Sequence, residues 1–347
     1  MKYSILNLVP LRDGQTFKEA IDSMVRLAKK AEELGYERYW LAEHHNMKSV
    51  ASSATKQLIQ HTLANTSTLR VGSGGIMLPN HSPYLIAEEF GMLETLYPNR
   101  VDLGLGRAPG TDMQTAQALR RDDDRTMDFP EEVEELQGYF KGTEGINAYP
   151  AKGLDVPFYI LGSSIQSAYL AAKLGLPYSF AAHFAPAMMV EAINTYRRNF
   201  QPSDDLVQPY VILGANAIVA DTDEEAKFLA TTQTQSFLNI VTGQQRGLMP
   251  PVEDERQIYE NLISVRQVPH FGPVKFDIDE LFQNEKAMVK NMSAISLIGS
   301  KETVKQQLQK LQSIVEFDEI MCNSYIYDEA KQHHSYELFA EVIKEVK

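Results

Sequence analysis

The chain has 347 residues, 44% of them hydrophobic and 23% charged, with 33 basic against 46 acidic side chains and a net charge of −13. That composition excludes disordered, collagen-like and low-complexity chains, and the acidic balance argues against a nucleic-acid or anionic-membrane surface, since both need clustered Lys and Arg. A single cysteine, Cys322, excludes a disulfide framework and a Cys-rich metal centre, and fits a reducing, cytoplasmic compartment.

Residues 3–9 are predicted as a first strand. Their apolar run is broken by Ser4 and Asn7 and lacks a small-residue cleavage site, so a signal peptide fits less well. No apolar run is long enough to span a membrane. Over 16–34, Phe17, Ala20, Ile21, Met24, Leu27, Ala28, Ala31 and Leu34 keep helical spacing, with Gly35 at the C-terminal cap. Tyr39 to Ala42 read as a strand ending at Glu43-His44-His45, followed by a helix at 53–65. Leu69 to Ile76 form a third strand. Ser82 and Pro83 then open a helix with Ile86, Phe90, Leu93 and Tyr97 as its buried stripe.

Residues 101–106 are a fourth strand, and an acidic stretch from Asp122 runs into a helix ending near Phe140. Further strands follow at Phe158–Leu161, Tyr178–Ala181 and Tyr210–Val219, with helices at 164–174 and 186–200 and a capping box, Thr222 with Glu225, for the next helix. Residues 236–290 break the rhythm with Gln, charge and Pro250-Pro251. A helix at 301–313, a strand at 319–324 and a helix at 329–345 complete the chain. Strict alternation implies parallel strands and crossover helices. Eight units fit a single α/β domain, a closed (β/α)₈ TIM barrel spanning 1–347 with an insertion before the last strand. An open doubly wound sheet with an added domain is the runner-up.

Barrel active sites lie at strand C-termini. The residues there are Asn7, Glu43-His44-His45, Gly74-Gly75-Ile76-Met77, Gly106 to Gly110, Gly162-Ser163-Ser164 and His183. Free backbone N–H groups at the Ser163-Ser164 turn, with hydroxyls of Ser163, Ser164 and Ser167 and the fork of Arg107, would cradle a phosphate. An ordinary N-cap and a surface ion pair explain the same residues equally well. Strand alternation sends only one of His44 and His45 into the mouth, which weakens a metal reading. The inward imidazole is either a general acid or base, or a core histidine bonded to Glu43 or a carbonyl. Tyr178, Phe180, His183, Phe184, Tyr325 and Tyr327 form either an aromatic mouth or core. Gly104 to Gly110 fails the dinucleotide fingerprint because its third glycine comes one position late.

Three blocks carry a resemblance: Tyr39-Trp40-Leu41-Ala42-Glu43-His44-His45-Asn46, Val71 to His81, and Arg100 to Asp112. Over them the chain resembles the bacterial luciferase-like flavin-dependent monooxygenase family, in a branch of largely undefined substrates. The likeness is strongest over 1–112 and recovers at Leu297 to Val304. It implies a barrel, dimeric in the family, that binds FMN at the strand C-termini. By position, Arg107, Ser163, Ser164 and Ser167 would hold the flavin phosphate, although luciferase itself has an acidic residue at the Ser163 position. Glu43, Gly74 and Gly75 would lie beside the isoalloxazine, with a cis peptide between the two glycines. His44 matches the histidine with the acid/base role, His45 and His81 are left ambiguous, with support of the loop after the third strand one reading of His81, and 236–290 corresponds to a mobile lid. The implied reaction uses reduced FMN, supplied by a separate reductase with NADH as ultimate donor. A C4a-peroxyflavin formed with dioxygen would oxygenate a small organic substrate. A deazaflavin-dependent hydride transfer and a non-catalytic flavin-binding protein are the alternatives, with a zinc hydrolase a distant fourth. No metal, nucleic acid or membrane partner is expected.

Overall fold

The structure is a computed structural model that describes residues 1–108, 110–119, 129–259 and 282–346. Eight parallel strands close a barrel in the order β1 (Lys2–Asn7), β2 (Arg38–Leu41), β3 (Arg70–Met77), β4 (Val101–Gly106), β5 (Phe158–Gly162), β6 (Tyr178–Phe180), β7 (Val211–Val219) and β9 (Glu319–Asn323), which returns to β1. These are the eight strands the sequence predicts, and the open-sheet alternative falls. The ninth strand, β8 (Ser296–Gly299), is not foreseen. It pairs with Asn216 to Val219 of β7, beyond the stretch that β6 covers, and so extends the wall upward outside the barrel ring.

Helices α1 (Phe17–Leu34), α2 (Thr55–Ala64), α3 (Pro83–Leu96), α5 (Phe129–Lys141), α6 (Ile165–Leu174), α7 (Met189–Asn199), α8 (Asp223–Val241), α10 (Lys301–Ile314) and α11 (Glu329–Glu345) follow the strands in turn. Short helices α4 (Met113–Leu119) and α9 (Gln283–Met292) are additions to the predicted set. Gly35 and Gly175 end α1 and α6 in the left-handed conformation, as their positions after apolar stripes require. Helix α8 runs to Val241, so the irregular segment begins after it rather than at 236. Residues 120–128, the start of the predicted acidic helix, and 260–281, much of the predicted lid, lie outside the described residues.

Inward-facing side chains at the strand starts form a buried ionic plug. Arg38 bridges Asp102 at 2.8 Å and Glu319 at 2.9 Å, Arg70 joins Asp102 at 2.5 Å, and Trp40 donates to Asp102 at 3.0 Å. Above it Leu6, Trp40, Ala42, Tyr159, Ile212 and Met321 fill a middle layer. The N-terminal end of the barrel is thereby closed, and the unpartnered polar atoms of His44, His183 and Asn216 lie toward the C-terminal end.

The segment after α8 is fixed to that end. Leu248 exchanges backbone hydrogen bonds with Leu11 and Asp13, and Gln245 holds Asn46 O and Lys48 N, each at 3.0 Å. Phe237, Leu238, Leu248, Ile258, Tyr259, Phe282 and Val289 pack with Tyr325 as a second apolar core.

Candidate active site

Alternation along β2 decides which of the two adjacent histidines faces the barrel. Trp40 and Ala42 point inward, while Tyr39 and Leu41 pack under the helices. Carried past the strand end, this puts His44 on the inward side and Glu43 and His45 on the other. Nδ1 of His44 is buried without a hydrogen-bond partner. Burial lowers the His44 pKa, and neighbouring His45 adds to the effect against an opposing pull from Glu43. The imidazole is therefore neutral and has a nitrogen to spare. The reading of His44 as a core histidine bonded to Glu43 does not hold.

That role belongs to His45 and His81. Nε2 of His45 lies 2.8 Å from Glu43 Oε1, and Nε2 of His81 lies 2.9 and 3.0 Å from the two carboxylate oxygens. The backbone N–H of Met77 donates to Oε2 at 3.3 Å. Burial would raise the Glu43 pKa, but the two imidazoles outweigh it and hold the carboxylate at about 2. His81 thus supports the loop after β3 by tying it to the end of β2. The donor atoms of Glu43, His45 and His81 lie within 4.8 Å of one another, the one such cluster among the described residues. The convergence denied to adjacent His44 and His45 is supplied by a histidine from the next strand. Two imidazole N–H groups donating to one carboxylate account for the cluster without an ion.

The Gly74–Gly75 peptide is cis, as the resemblance implies. The β3–β4 register shifts between Ser73 and Ile76 around it, and the Ser73 hydroxyl fills the break by bonding Gly104 O at 2.8 Å and Gly104 N at 3.0 Å. A Cβ on Gly74 would come within 2.7 Å of Leu6 and one on Gly75 within 2.7 Å of Gly104 O, so neither position admits a side chain. The loop after β4 is locked onto the loop after β2. Gly110, at φ 62°, accepts from His45 N at 3.3 Å, Thr111 donates to His45 O at 3.1 Å, and Asn46 donates to Asp112 at 3.0 Å.

The serine turn shows the N-cap reading directly. Ser164 caps α6 by accepting from Ser167 N at 3.3 Å, and Ser167 Oγ returns to Ser164 N at 3.3 Å. The Ser167 hydroxyl also donates to Ser164 O at 2.7 Å and lies 2.9 Å from the Tyr178 phenol. The cap engages one first-turn amide, and the others have no acceptor within the helix. Ser163 follows the end of β5, half-buried, and Arg107 follows the adjacent β4 end, exposed. Arg107 has no ion pair among the described residues.

On the opposite wall His183 packs against Gly214, where a Cβ would approach its Nδ1 to 2.5 Å. Burial, together with His44 nearby, lowers the His183 pKa to about 4, and its Nδ1 also lacks a partner. Asn216 and Asn323, absent from the predicted set, complete this wall. Their signal in the sequence is a lone amide inside or ending an apolar strand, VILGANAIV and EIMCN. Of the predicted aromatics, Tyr178, Phe180 and Tyr325 are core, while Phe184 is exposed.

The family model described as luciferase-like monooxygenase matches residues 1–315. YvbT of Bacillus subtilis is 49% identical over 345 residues, covering 98% of this chain and 96% of its own. An Escherichia coli K12 protein named luciferase-like monooxygenase is 42% identical over 348 residues, covering 99% and 97%. The crystal structure of apo-MsnO8 is 32% identical with a TM-score of 0.83, covering 100% of this chain and 99% of that one. At 16% identity the same fold is shared with the oxygenating constituent of 3,6-diketocamphane monooxygenase from Pseudomonas putida in complex with FMN (TM-score 0.71, covering 100% and 99%). It is shared equally with an F420-dependent secondary alcohol dehydrogenase (TM-score 0.63, covering 100% of both).

Proposed function

Because the chain belongs to the luciferase-like monooxygenase family, we propose that it is the oxygenase of an FMN-dependent monooxygenase, acting on a small organic substrate with dioxygen. The observation that carries this reading is His44, which is neutral, inward-facing and unpartnered at a buried nitrogen. Such a group exchanges a proton at Nδ1 without first breaking a bond to the protein. The 42% identical relative carries the monooxygenase name over its whole length, which favours oxygen transfer over deazaflavin hydride transfer.

The residues present fit a flavin mononucleotide. Arg107, Ser163, Ser164 and Ser167 would hold its phosphate by charge and by the open amides of α6. Gly74 and Gly75 would border its ring, where no Cβ can intrude, and Glu43, turned to the other side of the β2 end, would act on that border only through the loops it holds by His45, His81 and the Met77 amide. Bound and reduced, FMN supplies the electrons that activate dioxygen. The protein orients, excludes water through the apolar core after α8, and moves the proton at His44.

A separate flavin reductase would deliver the reduced cofactor from NADH; the Pseudomonas protein is likewise the oxygenating constituent of its monooxygenase. No described helix is long and apolar enough to cross a membrane. We assign the protein to the cytoplasm on the lone, free and buried Cys322, which fits a reducing compartment. We assign it as a homodimer as well. Leu85, Met92 and Leu96 are 53%, 49% and 52% exposed and share one face of α3, a stripe that a second copy would cover.

The test is rapid mixing of reduced, FMN-loaded protein with oxygenated buffer. The reading requires reoxidation kinetics distinct from free flavin and a transient absorbance that His44→Ala shortens in lifetime. Reoxidation at the free-solution rate with no transient overturns it. Parallel titrations with FMN and F420 identify the cofactor.

A further inference from the structure

In the closed ring, β7 stands four strands from β3 in either direction, so its inward face looks across the mouth at Gly74 and Gly75. The inward positions there are Gly214 and Asn216, and Asn323 is the register partner of Asn216 on β9. Asn216 is 0% exposed and Asn323 5%. Nδ2 of Asn216 donates to His183 O at 2.8 Å, with Ser296 Oγ 3.4 Å away. A carbonyl partner fixes which end of the amide is nitrogen. The end left without a partner is therefore the acceptor, Oδ1.

Nδ2 of Asn323 faces the Tyr325 phenol, which takes up one of its two N–H groups and leaves the other open, and Oε1 of Gln233 is unpartnered while its Nε2 donates to the Ser296 hydroxyl at 3.0 Å. Buried polar atoms are almost always paired, so unsatisfied groups gathered on one wall need an explanation. Asn216 and Asn323 are neighbours across the ladder, yet they do not satisfy each other. An acceptor and a donor thus stand side by side, with no charged side chain on this wall among the described residues.

We propose that the Asn216–Asn323 wall is the substrate-recognition surface and takes an uncharged carboxamide group. The amide N–H donates to Asn216 Oδ1, and its carbonyl accepts from Asn323 Nδ2. A carboxylate brings only acceptors and meets Asn216 Oδ1 without a proton to share. An ammonium brings only donors and opposes Asn323 Nδ2. The inference rests on the oxygenase reading for its role, but the wall's chemistry stands apart from the cofactor.

The test is calorimetric titration of the full chain with hexanamide, hexanoate and hexylamine, in flavin-free and FMN-loaded forms. Hexanamide is expected to bind at least about tenfold tighter than either charged isostere in both forms. Asn216→Leu and, independently, Asn323→Leu should abolish that preference, and Asn323→Asp should turn it toward hexylamine, with circular dichroism confirming the fold. FMN affinity should be unchanged in all three variants. Equal binding of the three probes, no saturable hexanamide binding, or a preference that survives both leucine variants overturns the proposal. Failure of FMN to bind counts against the oxygenase reading alone, because the amide preference is also read on the flavin-free chain.

Discussion

Gly214 lies directly against the His183 imidazole, so close that a methyl group there would sit 2.5 Å from Nδ1. His183 is in turn fixed through its carbonyl by Asn216, at 2.8 Å. The glycine therefore sets where the ring lies in the mouth. Gly214→Ala should push the ring aside while leaving the buried strand otherwise intact. The expected result is a fall of about tenfold or more in kcat/KM for oxygenation, with FMN affinity within twofold of wild type. An unchanged kcat/KM would remove His183 from the site.

Titration of the same residue gives a pH dependence with a definite sign. Folded His183 has a pKa of about 4 against an ordinary 6.5, so between those values the unfolded chain takes up a proton that the folded chain refuses. Stability then falls as pH drops from 6.5 to 4, with a slope of up to about 1.4 kcal/mol per pH unit for each such proton. His44 and His333, both also lowered, add to the slope. Urea denaturation across this range should show a shallower dependence for His183→Gln. An identical slope would mean that the ring is solvated.

Glu43 runs the other way in mechanism. Its folded pKa of about 2 lies below the ordinary 4.5, so its contribution is whole above pH 4.5 and is lost as pH falls toward 2. Glu43→Gln replaces a carboxylate that serves His45, His81 and the Met77 amide. At pH 7 it should cost about 1–3 kcal/mol in urea denaturation, from weakened charge-assisted bonds at a buried site. A variant as stable as wild type would show that the two histidines find other acceptors.

The exposed stripe on α3 makes the dimer assignment testable by light scattering. Leu85→Glu combined with Met92→Glu should convert a dimer to a folded monomer, since both side chains are about half exposed in the isolated chain and cost little there. A wild-type mass corresponding to one chain would refute the assignment.

The barrel strands were legible because each is a short apolar run closed by turn residues and followed by a helical stripe, and the strand ends then indicated where to look for chemistry. Strand β8 was not legible, because Ser296–Gly299 is four residues long and among the described residues it pairs with the upper half of β7 alone. Helix α9 buries only Val289 and shows no stripe to read. The Glu43–His81 contact joins residues 38 apart and exists only because β2 and β3 are neighbours. Asn216 and Asn323 could be seen as odd amides in apolar strands, but whether such an amide is satisfied depends on neighbours that no local pattern names.

The serine turn carries two roles that a pair of substitutions can separate. Asp is as good an N-cap as Ser, so Ser164→Asp should keep α6 capped, whereas Ser164→Ala should lose about 1 kcal/mol of stability. A carboxylate at the same place would repel a phosphate, so Ser164→Asp should bind FMN markedly less well than Ser164→Ala does. Arg107→Ala supplies the complementary test. Loss of a charge-assisted contact of about 1.5–3 kcal/mol should weaken FMN roughly ten- to a hundredfold. Riboflavin, which has the same ring and no phosphate, should bind wild type and Arg107→Ala alike. If Arg107→Ala weakens both ligands equally, Arg107 acts on the ring or the fold rather than the phosphate. If FMN binds Ser164→Asp as well as wild type, the turn is a helix cap and nothing more.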